Sequence, residues 1–163
     1  MRLLKAIPNN RLLMLAFLSL IFTSSFGQSK FVKKFRPLAD SLSTEYGIPA
    51  SVILAISILE SGSGTSRNCK LLNNYFGIEG KNKLHKTKGI KSRYKQYHDA
   101  TASFIDFCHV IKKKKFYKKL KGNMNYRLWV DTISKNGYSE VPEIWKERVL
   151  ATIRKNKLSA TRY

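Results

Sequence analysis

Residues 48–64 read Ile48-Pro49-Ala50-Ser51-Val52-Ile53-Leu54-Ala55-Ile56-Ser57-Ile58-Leu59-Glu60-Ser61-Gly62-Ser63-Gly64. Proline suits the first turn of a helix, and the residues that follow it are apolar on nearly every side. A helix of this kind belongs inside a core. The two glycines then interrupt the pattern, so we predict a buried helix that ends at Glu60.

Glu60 is one of only ten acidic residues in the chain, and it lies at the end of this apolar helix. Helical spacing puts it on the same face as Ile53, Ile56 and Ser57, toward the packed side. Partial desolvation there raises the pKa of a carboxyl, as a general acid requires. A carboxylate bonded to local backbone or to a lysine fits the spacing equally well, although the helix dipole disfavours it.

More helices are predicted on both sides of this segment. Before it, apolar residues recur at helical spacing at Phe31, Phe35, Leu38, Ala39 and Leu42, with Gly47 as the stop. After it we expect a short helix to about Leu72, a helix capped by Asp99, and helices from Tyr126 to Asn136 and from Pro142 to Asn156. Between them, residues 73–97 are rich in glycine and tyrosine and predict a small, partly β-structured lobe.

The first 27 residues have the composition of an export leader. Three basic residues precede an apolar run from Leu12 to Phe22, and small residues flank a predicted cleavage site after Gly27. The apolar run is shorter than the roughly 20 residues that span a bilayer, so a membrane anchor is the weaker interpretation. We therefore expect a signal peptide at 1–27, a single domain at 28–163, and a periplasmic or secreted protein, present as a monomer.

The formal net charge of +21 implies a polyanionic partner. Nucleic acid is the usual partner of so basic a chain, but export favours an anionic cell wall or membrane surface instead. The lysine-rich segment Lys112–Lys119 also carries Phe116 and Tyr117. We interpret it as the solvated end of a helix, with its lysines available for adhesion, rather than as a nucleic-acid site.

The chain has two cysteines, Cys69 and Cys108, and both lie in the domain expected to be exported. An oxidising compartment permits one disulfide between them, and we expect that bond. The cysteines and the three histidines have no metal-ligand spacing, and no glycine-rich phosphate loop is present. We expect neither a metal nor a cofactor.

An ordered series of motifs resembles a known family. The motifs are Tyr46-Gly47-Ile48-Pro49-Ala50, Leu59-Glu60-Ser61-Gly62-Ser63-Gly64, and Asn73-Asn74-Tyr75-Phe76-Gly77-Ile78. They are similar to those of the glucosaminidases of glycoside hydrolase family 73, which include flagellar peptidoglycan hydrolase domains and several autolysins. The resemblance implies an α+β, lysozyme-like fold in which a mainly helical lobe and a small β-lobe flank a glycan groove. It also implies that Glu60 is the general acid.

The same resemblance assigns further residues to the groove. Asn74 and Phe76 match residues of the groove wall, Tyr97 matches the aromatic residue that ends the second β segment, and Tyr138 matches a tyrosine beside the scissile bond. Neutral polar groups suit N-acetyl groups, and aromatic faces suit sugar rings. Phe76 and Tyr97 also fit a purely structural place in the core of the lobe.

The chain departs from the family in one respect. Many relatives carry a glutamate on a longer β-lobe hairpin, whereas residues 86–95 contain no acidic residue. Glu79 is the only acidic residue between Glu60 and Asp99, so it is a candidate second carboxylate, although it equally fits a surface glutamate. With Glu79 as base the reaction inverts, and without a second carboxylate the N-acetyl group of the substrate assists.

Three function classes follow from the sequence. The leading one is an endo-β-N-acetylglucosaminidase acting on peptidoglycan, and muramidase or lytic transglycosylase is its nearest alternative. A basic wall-binding module without catalysis is the second class. A cationic protein of nucleic acid or anionic membranes is the third, and it depends on charge alone.

Overall fold

A computed structural model of the chain describes residues 30–159. The predicted leader and its cleavage site near Gly27 lie outside these residues. The described part contains eight helices: α1 (residues 30–46), α2 (Ala50–Ser61), α3 (Arg67–Leu72), α4 (Leu84–Lys88), α5 (Ala100–Lys112), α6 (Tyr117–Leu120), α7 (Tyr126–Lys135) and α8 (Pro142–Lys155). The prediction of a mainly helical protein is confirmed.

Helix α2 is the centre of the core, as its sequence predicts. Every residue from Val52 to Ile56 has 0% of its surface exposed, and α2 packs against both α7 and α8. The helix begins directly after Pro49 and ends where Gly62 adopts a left-handed conformation with φ 57°. Glycine tolerates this conformation at no steric cost, so the chain turns away immediately beyond Glu60.

Aromatic side chains join α1 and α5 to the loop that follows α3. Phe35 stacks on Phe104 with ring centroids 5.0 Å apart, and Phe76 stacks on Phe107 at 4.2 Å. Such ring pairs contribute about 0.5–1.5 kcal/mol each beyond the area that they bury. The cluster therefore fixes the position of residues 75–77 relative to α2.

Residues 73–97 differ from the predicted β-lobe. In the described chain this region has a single isolated antiparallel bridge, between Glu79 and Tyr94, and the short helix α4. Three backbone bonds join the two sides of the lobe, from the N–H groups of Gly80, Lys95 and Gln96 to the carbonyls of Arg93, Ile78 and Lys81. Side-chain bonds supplement them: Asn82 Nδ2 donates to the carbonyls of Ser92 and Tyr94 at 2.8 and 2.9 Å. Asparagine bonds of this kind compete with regular pairing, so the lobe is irregular.

The predicted disulfide is wrong, because Cys69 and Cys108 are both free and buried. They lie in different surroundings. Cys69 belongs to α3 and interacts with Tyr75, whereas Cys108 belongs to the core cluster around α5, near Glu45. An even number of cysteines permits a disulfide, but only proximity of the two sulfur atoms forms one.

None of the helices described between residues 30 and 159 is long and apolar enough to cross a membrane.

Candidate active site

Glu60 lies in the last turn of α2 with its carboxyl at the border between core and solvent. Burial raises the pKa of this carboxyl, while a hydrogen bond from Trp145 and the charge of Arg148 partly offset that effect. A raised pKa keeps a larger fraction of the carboxyl protonated near neutral pH. This is the property that the sequence predicts for Glu60.

Helix α8 supplies one group that bonds to Glu60 and one that acts on it through its charge. The indole Nε1 of Trp145 donates to Glu60 Oε1 at 2.8 Å, and Trp145 is 6% exposed. Arg148 is one turn further along α8, and positions three apart share a helix face. The bond to Trp145 leaves Glu60 Oε2 available to another partner.

Gly77 brings the backbone of the loop after α3 close to Glu60 Oε2. A Cβ placed on Gly77 would lie 3.6 Å from Glu60 Oε2, and the residue has φ +68°. This backbone conformation strains any residue with a side chain. The loop therefore passes directly beside the carboxyl.

Tyr138 lies on the loop between α7 and α8 and is half-buried. Its hydroxyl donates to the carbonyl of Phe76 at 3.1 Å, and its ring centroid is 5.1 Å from that of Trp145. Burial, and next the charge of Glu60, raise the pKa of Tyr138 well above its usual value. The phenol therefore stays neutral beside the Glu60 carboxyl.

These residues open onto a cleft of about 250 Å³, here named the Glu60 cleft. Its lining residues are Leu59, Glu60, Tyr138, Ser139, Val141, Ile144, Trp145 and Arg148. Val141 and Ile144 are 53% and 61% exposed, so they present large apolar side chains to solvent at this cleft. The cleft therefore combines charged groups, Glu60 and Arg148, with an exposed apolar rim formed by Val141 and Ile144. A sugar ring likewise has polar hydroxyl edges and apolar faces.

Asn74 does not face this cleft, contrary to the prediction. It is 2% exposed, and its Nδ2 donates to the carbonyls of Ile78 and Lys95, both at 2.8 Å. Its Oδ1 accepts from the backbone N–H groups of Phe76 and Ile78. Because backbone groups occupy the whole amide, Asn74 orders the loop instead of binding sugar.

Phe76 and Tyr97 are also core residues, which is the structural alternative that the sequence leaves open. Phe76 is 2% exposed within the aromatic cluster, and Tyr97 is 7% exposed. The Tyr97 hydroxyl donates to Asp106 Oδ2 at 2.7 Å, and Lys95 Nζ approaches the same oxygen at 2.8 Å. This network ties the lobe to α5.

The structure does not bring Glu79 to the Glu60 cleft. Its side chain is 62% exposed, and its Oε1 pairs with Arg93 Nε at 3.1 Å. Glu60 is the only acidic residue among those found to line this cleft within residues 30–159. The surface interpretation of Glu79 therefore agrees with the geometry, with Arg93 as its partner.

Sequence reasoning missed Trp145 and Arg148. They stand in a helix that was predicted correctly, but nothing local distinguishes a tryptophan that bonds a carboxyl from one that fills a core. Trp145 and Arg148 are three residues apart in a helix that begins at Pro142, and this spacing indicates only that they share a helix face. Across the described chain, no group of three His, Cys, Asp or Glu side chains is placed to hold a metal ion.

This chain combines a helical fold with a partly desolvated glutamate that faces an open cleft, which is the arrangement that the general acid of a glycoside hydrolase requires. It belongs to the glucosaminidase family, because the sequence model of that family, mannosyl-glycoprotein endo-beta-N-acetylglucosaminidase, matches residues 36–158. Exo-glucosaminidase LytG of Bacillus subtilis is 26% identical over 148 residues, covering 80% of this chain. The chain spans about half of that relative's length, 52%.

Two solved structures share the fold. The catalytic domain of the autolysin Auto from Listeria monocytogenes is 19% identical with a TM-score of 0.67, covering 96% of this chain and 89% of that one. A C-terminally truncated glycoside hydrolase domain of FlgJ from Salmonella typhimurium is 18% identical with a TM-score of 0.65, covering 80% of this chain and 97% of that one. At these identities the similarity establishes the fold alone.

Proposed function

We propose that this protein is an exported peptidoglycan hydrolase that cleaves the glycan strand at N-acetylglucosamine, as an endo-β-N-acetylglucosaminidase. The observation that carries the proposal is the Glu60 carboxyl, partly desolvated by burial and open to the cleft of about 250 Å³. Membership of the glucosaminidase family supports the sugar, and the autolysin among the similar structures supports the polymer.

Glu60 acts as the general acid in this proposal. Its proton passes to the glycosidic oxygen as the bond to the anomeric carbon breaks, which prevents the departure of a poor alkoxide leaving group. The Trp145 hydrogen bond holds Oε1, so the proton resides on Oε2, beside Gly77. Arg148 then stabilises the carboxylate that remains.

The second catalytic group is the N-acetyl group of the substrate itself. Its carbonyl oxygen attacks the anomeric carbon while Glu60 gives up its proton, and the sugar becomes a cyclic oxazolinium ion. Water then attacks the anomeric carbon and returns its proton to Glu60, so the acid is restored and configuration is retained. The absence of a further carboxylate from the described lining of the cleft supports this route over a Glu79 base.

The rim of the cleft accounts for sugar binding. Val141 and Ile144 provide exposed apolar surface against which the flat face of a pyranose packs. Tyr138 lies between this rim and Glu60 and keeps its hydroxyl protonated. The ring therefore contacts the sugar next to the scissile bond without adding a second negative charge.

Export completes the proposal. The leader directs the chain out of the cytoplasm, cleavage occurs near Gly27, and the mature enzyme is the domain at 28–163. The composition of residues 1–27 supports this, as does the net positive charge, which suits an anionic wall. Amino-terminal sequencing of the exported protein tests it, since a mature chain that begins near Gln28 is expected.

Analysis of the ends that appear when the purified protein digests peptidoglycan tests the activity. Reducing N-acetylglucosamine is expected, and a rapid fall in strand length marks endo rather than exo cleavage. Reducing or anhydro N-acetylmuramic acid would assign a muramidase or lytic transglycosylase instead.

A Glu60→Gln variant tests the role of the acid in the same assay. We expect a loss of about a thousandfold in kcat, within the range that general acid catalysis supplies. Glu147→Gln, an exposed glutamate on α8, is the matched control and should retain wild-type activity. Failure of the wild type to clear wall material would leave the non-catalytic binding module as the assignment.

A further inference from the structure

A second cleft, lined by cations, lies between α3 and the irregular lobe. Its volume is about 270 Å³, and Arg67, Lys91 and Arg93 line it together with Tyr94, Leu71 and Ile90. We name it the basic cleft. No Asp or Glu contributes to the lining that the structure describes. Arg93 is paired with Glu79, but the other two cations are not, and a concave site with two uncompensated cations in its lining favours an anion.

Two of these cations have no partner in the described protein. Arg67 and Lys91 are exposed and form no ion pair within residues 30–159. In the lobe, the basic residues that do form ion pairs are Arg93 and Lys95. Arg93 pairs with Glu79 and stacks its guanidinium over the Tyr94 ring at 5.5 Å. The stacking holds Arg93 against the wall of the cleft, while Arg67 and Lys91 stay available to a ligand.

The basic cleft is close to the Glu60 cleft along the chain. Gly77 adjoins Glu60 Oε2, and Glu79, the partner of Arg93, is two residues further on. Two residues of extended chain span at most about 7 Å between Cα atoms. Glu140, which adjoins Ser139 and Val141 on the rim of the Glu60 cleft, also acts electrostatically on Arg93. Arg93 therefore lies near the loop that passes Glu60, and a strand that leaves the Glu60 cleft on this side reaches the basic cleft.

We propose that the basic cleft binds a carboxylate of the stem peptides that project from the glycan strand. This inference rests on the proposed function and deepens it, because it makes the peptide-bearing strand the preferred substrate. Arginine donates to a carboxylate in a planar fork, and lysine adds a point charge. The stem is tethered to the strand that Glu60 holds, so its high effective concentration makes a weak site sufficient.

Binding measurements test the site without relying on catalysis. The Glu60→Gln protein is titrated with soluble glycan fragments of equal length, either carrying tetrapeptide stems or stripped of them by an amidase. We expect the stem-bearing fragments to bind three- to tenfold more tightly at low salt, the range given by two exposed ion pairs. The preference should shrink at high salt because screening weakens such pairs.

Substitution of the two free cations locates the effect. Arg67→Gln with Lys91→Gln should reduce the preference to less than twofold and leave the affinity for stripped fragments unchanged. Lys118→Gln with Arg127→Gln removes the same charge at exposed positions outside both clefts and should preserve the preference. An equal loss in both double variants would mean general charge attraction and would overturn the proposal.

Two further outcomes also decide the question. Equal binding of the two fragments by the Glu60→Gln protein overturns the stem-peptide site, even if the wild type cleaves wall material. If the preference appears only on walls that retain phosphate-bearing polymers, the anion is a phosphate, and the proposal is again wrong. A failure of the proposed function would show separately, as absence of new glycan ends with the wild type.

Discussion

Trp145 Nε1 and Glu60 Oε1 are joined by a 2.8 Å hydrogen bond across 85 residues of sequence. The bond favours the charged form of Glu60, and burial favours the neutral form more strongly, so the pKa of the carboxyl is raised overall. Trp145 therefore limits how far burial raises the pKa of Glu60. Its indole N–H group positions the acid, because it acts on proton transfer through its bond to Glu60 Oε1.

Trp145→Phe should move the basic limb of the pH profile of kcat/KM upward. Loss of the N–H group removes an effect that lowers the pKa of Glu60, and this limb reports the deprotonation of the free enzyme's acid. Trp129→Phe is a matched comparison, since the Trp129 indole is buried and donates to the carbonyl of Asn123 at 2.6 Å. An unmoved limb in Trp145→Phe, or an equal movement in Trp129→Phe, would contradict the assignment.

The Glu60→Gln variant should be more stable than the wild type, and the difference in the free energy of unfolding should grow as pH rises. The folded-state pKa of Glu60 is raised, so the native protein binds more protons than the unfolded chain in the window above the usual glutamate pKa. Wild-type stability consequently falls through that window. The variant does not titrate there, and it should exceed the wild type by about 1 kcal/mol at neutral pH, as active-site replacements commonly do.

Urea unfolding from pH 4 to pH 8 measures this difference. The gap in unfolding free energy should be small below about pH 4, where the carboxyl is protonated in both states. It should widen toward neutral pH. A variant that is less stable than the wild type at neutral pH would show that Glu60 contributes to the fold, as the structural interpretation of this residue holds.

Glu79→Gln should leave kcat within about twofold of the wild type, because surface substitutions away from the reacting groups have small effects. The side chain is exposed and paired with Arg93, and Glu60 alone among the acidic residues described at the cleft faces the substrate. Nuclear magnetic resonance of the first product should then show retained configuration. Inversion, together with a loss of more than a hundredfold in Glu79→Gln, would establish Glu79 as the base.

The sequence predicts the part of the fold that depends on local periodicity. The run from Val52 to Leu59 has no polar face, and Pro49 and Gly62 delimit it, so the position of Glu60 at the end of a buried helix follows from spacing. The partners of Glu60 do not follow. Trp145 reaches it only through the packing of α8 on α2, which no pattern within α8 encodes.

Residues 73–97 show why local patterns fail elsewhere. Tyrosines and small residues there suggest strands, but the backbone pairing amounts to one isolated bridge, and the amides of Asn74 and Asn82 bond to the carbonyls of Lys95, Ser92 and Tyr94 around it. The same occupation removes Asn74 from sugar binding. A polar residue in a family motif is therefore compatible with either role until its bonding partners are known.

Asn74→Ala should destabilise the protein by about 3 kcal/mol, because it leaves several buried backbone groups without a partner. Four bonds to the loop and to Lys95 are lost, and the loop carries Gly77 past Glu60. Thermal unfolding measures the effect. If Asn74→Ala instead keeps wild-type stability and raises KM, the side chain binds substrate and the structural role is wrong.

The two cysteines allow a last prediction, on redox sensitivity. Burial raises the pKa of the Cys108 thiol to about 12 and also raises that of Cys69. Only the thiolate attacks disulfides and alkylating reagents, so both thiols should react slowly in the folded protein and rapidly once it unfolds. The melting temperature should not change with reductant, since no bond joins the pair. The prediction would be wrong if the native protein had a mass two hydrogens below that of the reduced chain and a melting temperature that falls by several degrees in reductant. These results would establish a disulfide between Cys69 and Cys108 and would require α3 and α5 to approach each other.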